Sequence, residues 1–182
     1  MTLLEAEPVV FITGISASGK STVAEMLASR FVRGVHVRGD IYRRMIVTGR
    51  HEMTSAPSPE ALRQLGLRYR LGAATADRYH EAGFSVVVQD IVIGPMLADY
   101  VAAIQSRPLV VVVLAPRAEV VARREQSRAK VAYREGFNDI GELDLVLRQQ
   151  TPRLGLWLDN SDQDPVTTVD EIVRRGLDEG RI

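Results

Sequence analysis

The segment Gly14-Ile15-Ser16-Ala17-Ser18-Gly19-Lys20-Ser21 has residue types and spacing suited to one chemistry. It fits G-x-x-x-x-G-K-S, a phosphate cradle, and it has an apolar run before it and a helix-period pattern after it. Its glycines allow a tight turn that aims backbone N–H groups at a polyphosphate, and the helix starting near Gly19 adds the positive end of its dipole. The expected nucleotide contacts are therefore Gly14, Ser16, Ala17, Ser18, Gly19, Lys20, Ser21 and Thr22. Lys20 would reach the β- and γ-phosphates, and the Ser21 hydroxyl would be a magnesium ligand. Two carboxylates, Asp40 and Asp90, each follow a strand-like run. That is where open α/β sheets place ligands, and Asp90 would hold magnesium directly or through water.

A second pattern is cationic. At 100° per residue Arg117, Arg124 and Arg128 fall within about 40° of one another, a positive stripe. Glu119 and Glu125 read as pointing away from it. The stretch Lys130 to Gly136 has weak periodicity and reads as a flap, giving a lid over approximately 117–136. Cations closing over a nucleotide would expel water and stabilise charge on a transferring phosphoryl group.

The elements that must position these groups alternate β and α. Val9 to Thr13 is an uninterrupted apolar run suited to a parallel strand covered on both faces. A helix follows from Gly19 to about Phe31, burying Val23, Leu27 and Phe31, and Gly34 closes it. Val35 to Arg38 is the second strand, and Ile41 to Ile46 starts a helix. Thr48 to Pro59 is rich in breakers and reads as a loop, after which Ser58 and Pro59 cap a helix running to about Ala82. Its Arg63, Arg68, Arg70 and Arg78 read as a solvated face; the alternative is that one or two hold an anionic group on the substrate. Phe84 to Gln89 is the third strand, Gly94-Pro95 opens a helix with Leu97, Val101 and Ile104 on one face, and Leu109 to Leu114 is a central strand. A helix beginning at Ala115-Pro116 carries the arginine stripe. Asp139 to Glu142 is a capping-box pattern, Leu154 to Leu158 is a fifth strand with Trp157 in the core, and Asp164 caps a last helix opened by Pro165. One parallel sheet in an α/β fold accounts for this order, in a single domain spanning 1–182.

Composition narrows the classes. Lys+Arg and Asp+Glu both number 23, so the formal charge is zero and nothing favours bulk nucleic acid as a partner. Cysteine is absent, which excludes disulfides, thiolate zinc sites and cysteine nucleophiles. Met1 to Pro8 has no basic region ahead of an apolar core, and no run approaches a membrane span, so a soluble cytoplasmic protein without membrane partners is expected.

The cradle, Asp40 after strand two, Asp90 after strand three and an arginine flap after strand four resemble the small P-loop phosphotransferases. Arg124-Glu125-Gln126-Ser127-Arg128 and Gln89-Asp90-Ile91-Val92-Ile93-Gly94 are similar to the flap and third-strand exit of chloramphenicol phosphotransferase-like proteins. Asp40-Ile41-Tyr42-Arg43 resembles the Asp-x-Tyr-Arg of polynucleotide 5′-kinases. The resemblance implies a P-loop NTPase, nucleotide-kinase-like three-layer fold with five parallel strands in order 2-3-1-4-5. It also implies ATP and Mg2+ as cofactors, Asp40 as base, and Lys20, Arg124 and Arg128 as the other catalytic groups. Adenine would lie between the flap arginines, Arg117 included, and the loop from Asp162 to Pro165. The acceptor region would span approximately 41–82, with Asp40, Arg43 and Arg44 contacting substrate. An ATP-dependent kinase acting on a hydroxyl of a small molecule is the leading expectation. A 5′-hydroxyl polynucleotide or nucleotide kinase and a non-catalytic nucleotide switch are the alternatives.

Overall fold

The computed structural model describes residues 7–126 and 139–182. Five strands form one parallel sheet in the order β2-β3-β1-β4-β5: β1 Val9–Thr13, β2 Gly34–Arg38, β3 Ser85–Gln89, β4 Leu109–Leu114 and β5 Leu156–Leu158. This is the order expected from the resemblance. β1, β3 and β4 are buried at every residue, as apolar runs covered on both faces must be. Alternate residues feed two cores, because strand side chains have a period of two. Phe11, Val88 and Val111 pack with Leu97, Tyr100 and Ile104 on one face, while Val10, Ile12 and Val112 pack with Val23, Leu27, Val169 and Ile172 on the other.

The helices cover those faces. α1 (Lys20–Ala28) ends before Phe31, because the next residues tighten into a turn with Arg30 N–H on Leu27 O and Phe31 N–H on Ala28 O. Phe31 is nonetheless buried, and Gly34 opens β2 rather than closing the helix. α2 is a short helix, Asp40–Arg44. α3 (Pro59–Glu81) is capped as expected, Ser58 Oγ accepting from Ala61 N–H at 3.1 Å. α3 buries Ala61, Gly72, Ala73 and Ala76, small residues that let it lie close to the sheet. α4 (Met96–Ala103) follows β3, and α5 (Ala118–Gln126) starts three residues later than its Ala115-Pro116 signal. Asp139 caps α6 (Ile140–Leu145), which runs on as a π-helical turn, Val146–Gln150. α7 (Pro165–Glu179) has Asp164 as its cap, accepting from Thr167 N–H at 2.7 Å. Trp157 packs half-buried on the core with the Arg153 guanidinium 4.0 Å from its ring centre. Among the described residues no helix is long and apolar enough to cross a membrane.

His36, on β2, has a buried Nε2 with no hydrogen-bond partner. Burial, helped by Arg38, pushes its imidazole below the usual value of 6.5. The unfolded chain then binds the proton more readily, so stability is complete above pH 6.5 and falls as pH drops through 6.5 toward the folded value. His36→Gln is expected to flatten that limb. Melting temperature against pH for both proteins checks it, and parallel curves would show that His36 does not contribute.

Candidate active site

The cradle is built by backbone that most residues avoid. Gly14 has φ 144°, and a Cβ there would overlap the Leu114 carbonyl oxygen of β4, so the loop can approach the sheet only without a side chain. Ala17 is held at φ 59°, the left-handed region, inside the loop. Lys20 is buried and donates to Ile15 O at 2.6 Å and Ser18 Oγ at 3.4 Å. Ser16 and Ser21 are half-buried, and Thr22 is exposed on the first turn of α1.

A buried residue that the sequence reading missed ties this loop to α5. Asn160 donates from Nδ2 to Ser18 O at 3.0 Å, and its backbone carbonyl accepts from Arg124 Nη2 at 2.9 Å. Arg124 Nη1 also reaches Ser18 O at 3.5 Å, so Arg124 sits on the cradle. Burial lowers its pKa, with the neighbouring Arg123 acting in the same direction. The signal for Asn160 was its place just beyond the last strand, the same rule that picked out Asp40 and Asp90.

Arg117 is held by two carboxylates of this chain. Its Nη1 and Nη2 donate to Asp162 at 3.0 and 2.8 Å, and its Nε donates to Glu119 Oε1 at 3.0 Å. Glu119 therefore faces the stripe instead of pointing away. These pairs fasten the start of α5 to the loop before Pro165, which is itself exposed at the first turn of α7. Arg128 and Lys130 to Gly136, the rest of the expected lid, lie outside the described residues.

The β2 exit lies against Asp90. A Cβ on Gly39 would overlap Asp90 Oδ2, so the β2 exit can touch the Asp90 carboxylate only because residue 39 is glycine. Asp40, the next residue, opens α2, and its Oδ2 pairs with Arg44 Nη2 at 2.6 Å. Its Oδ1 is buried, lies 3.5 Å from Arg38 Nε and accepts no hydrogen bond. Of the expected substrate arginines, Arg44 thus holds Asp40, and Arg43 pairs with Glu52 of the following loop.

Arg68 corrects the reading of α3 as a solvated arginine face. It grips Asp90 with two bonds, Nε to Oδ2 at 2.8 Å and Nη2 to Oδ1. The two side chains are only 16% and 1% exposed. Burial pushes the Asp90 carboxyl above its ordinary value, opposed by Arg68, the Ile91 N–H and, more weakly, Lys20. The sequence could not separate Arg68 from its neighbours because its partner lies on a different element, just beyond β3. Arg63 and Arg78, by contrast, form the expected exposed pairs with Glu60 and Glu81.

A pocket of about 270 Å³ opens between α2, α3 and their connecting loop, lined by Tyr42, Arg43, Met53, Leu65 and Arg68 among others. It lies within the region expected to take the acceptor. Arg68 belongs both to this pocket and to the carboxylate cluster.

A family model described as an AAA domain matches residues 9–140. The chain belongs to this family. No curated protein matches it. Among solved structures it is similar to a sugar kinase from Janibacter sp. HTCC2649, with a TM-score of 0.69, 19% identity and 96% of each chain covered. It is also similar to a gluconokinase from Sinorhizobium meliloti 1021, with a TM-score of 0.62, 19% identity and 96% and 93% covered. The APS kinase of Mycobacterium tuberculosis, in complex with AMPPNP and APS, superposes with a TM-score of 0.64 at 18% identity over 94% and 98% of the two chains. This AAA-domain chain has the P-loop kinase fold.

Proposed function

We propose that this protein is an ATP- and magnesium-dependent phosphotransferase that moves the γ-phosphate to a hydroxyl of a small molecule. The observation that carries the reading is Asp40 Oδ1, a buried carboxylate oxygen that accepts no hydrogen bond, one residue beyond the Gly39 that lies against Asp90, at the same end of the sheet as the cradle. A hydroxyl presented there would donate to Oδ1. As its oxygen attacked the γ-phosphorus, the bond to the β-phosphate oxygen would break and the hydroxyl proton would pass to Asp40. Arg44 would hold the carboxylate in place from Oδ2.

Lys20 and the cradle N–H groups would hold the phosphates, and Arg124, anchored on Asn160 and Ser18, would meet charge on the transferring group. Magnesium takes oxygen donors and keeps several waters, so it needs few protein ligands. The residues fit that demand: Ser21 offers a hydroxyl at the start of α1, and Asp90 keeps lone pairs beyond those used by Arg68 and Ile91 N–H. Among the described residues no cluster of three or more acidic or histidine side chains competes as a metal site. Ser21 and Asp90 would hold the ion, which when bound neutralises phosphate charge.

The test is transfer from γ-labelled ATP with magnesium to hydroxylated antibiotics, sugars, nucleosides, simple alcohols and 5′-hydroxyl oligonucleotides. A labelled small molecule is expected. Nucleotide binding with no transfer to any acceptor would count against the reading and favour a nucleotide-dependent switch.

A further inference from the structure

The acceptor pocket has walls and a charge balance that narrow what can enter it. Its volume, about 270 Å³, is formed largely by Met45, Ile46, Met53, Leu65 and Leu71. An apolar cavity of about 150 Å³ accommodates a benzene ring, so this one has room for a ring and a short chain. Met45 is 68% exposed, so apolar surface continues out of the pocket toward solvent.

Four of the polar side chains around it, Gln64, His51, Arg43 and Arg68, are engaged within the protein, and the Tyr42 hydroxyl is the remaining polar group of the wall. Gln64 donates from Nε2 to Gly49 O at 2.8 Å and accepts from His51 N–H at 2.9 Å. His51 Nδ1 lies 3.3 Å from Ser58 Oγ. Arg43 is paired with Glu52, and Arg68 with the buried Asp90. Both lining arginines are thus neutralised by carboxylates of this chain. An anionic acceptor would have to displace one of those carboxylates, and a polyol would bury hydroxyls against methyl and methylene groups. A buried hydroxyl without a partner is strongly disfavoured, whereas an apolar body loses nothing there.

Position supplies the remaining constraint. Arg68 lines the pocket and holds Asp90, and Asp90 lies against Gly39, the residue before Asp40. Tyr42 and Arg43, two and three residues after Asp40 on α2, form the wall on that side. A molecule filling the pocket would lie against residues that follow Asp40 on α2 and against the Arg68 that grips Asp90, although Asp40 itself is not part of the lining.

We infer that the phosphoryl acceptor is a neutral alcohol with a compact apolar body, such as an aryl-substituted alcohol, rather than a sugar, a sugar acid or a phosphate-bearing nucleoside. The inference rests on the kinase reading above for its chemistry, but the pocket's preference is measurable without transfer. Calorimetric titration of the protein saturated with magnesium and AMPPNP would compare 2-phenylethanol, D-glucose, D-gluconate and adenosine 3′-phosphate. The first is expected to bind at least about tenfold more tightly than the others, a modest discrimination for an apolar pocket. Leu65→Trp and Met53→Trp, which fill the pocket from different elements, should each abolish that binding while leaving AMPPNP affinity unchanged. Equal or tighter binding of any of the other three, absence of phenylethanol binding, or unchanged binding in both variants with normal AMPPNP affinity would overturn the inference. Phosphate transfer from ATP is then assayed with whichever compound binds. Phenylethanol bound in the pocket but not phosphorylated, while another acceptor is, would overturn the inference and leave the kinase reading standing; transfer to no acceptor at all would count against the kinase reading itself.

Discussion

Asp40→Asn is expected to lower turnover by about 10²–10⁴ while changing the ATP dissociation constant by less than about twofold, the loss associated with a positioned general base. The substitution keeps the shape of the side chain and removes its capacity to take a proton. The nucleotide contacts lie on a different element, the loop between β1 and α1, so ATP binding is spared. Asp40 also pairs with Arg44 and Arg38, but these arginine side chains are 52% and 42% exposed. Pairs of that kind contribute at most about 1 kcal/mol, so a large fall in melting temperature is not expected to accompany the kinetic defect. Steady-state kinetics with an acceptor that the wild type phosphorylates, together with nucleotide titration, decide the matter. An Asp40→Asn enzyme with wild-type turnover would remove Asp40 from the chemistry.

Asp90→Ala should be the most destabilising single substitution at the site, by about 3–5 kcal/mol, because it leaves the Arg68 guanidinium buried without its counter-charge. The pair is almost wholly shielded from water, and both Asp90 oxygens take part. Replacing both partners with apolar groups removes the uncompensated charge, so Asp90→Ala combined with Arg68→Leu should recover much of the loss. Urea unfolding of the two single variants and the double variant gives the coupling. A cost below about 1 kcal/mol for Asp90→Ala would mean that water reaches the pair. Stability regained in the double variant is not expected to restore transfer, since a proposed magnesium carboxylate is then missing.

Local signals located the phosphate loop, the strand-end carboxylates and the helix caps. The cradle, the two strand-end carboxylates and the caps Ser58 and Asp164 all depend on residues close in sequence, where spacing alone sets geometry. Errors in element ends were small and had local causes, such as the turn that stops α1 before Phe31. Arginines were harder to place. Arg68, Arg70 and Arg78 share one helix and one residue type, yet only contacts across the fold separate Arg68, held by Asp90, from Arg78, paired at the surface with Glu81. Arg117 likewise has its chief partner, Asp162, in the loop beyond β5, which no local spacing indicates.

What the sequence by itself determined was the parallel α/β order, the phosphate cradle and the positions of Asp40 and Asp90. These follow from apolar periodicity and from motifs whose residues are neighbours along the chain. Tertiary structure alone decided that Gly39 lets Asp90 lie against the β2 exit, that Arg68 neutralises Asp90, that Asn160 joins Arg124 to the cradle, and that the pocket between α2 and α3 is largely apolar with its two arginines paired. The reason is physical. A charge or an amide is chemically the same wherever it stands in a sequence, and its role is set by what the fold brings within hydrogen-bonding distance and by how much water is left beside it.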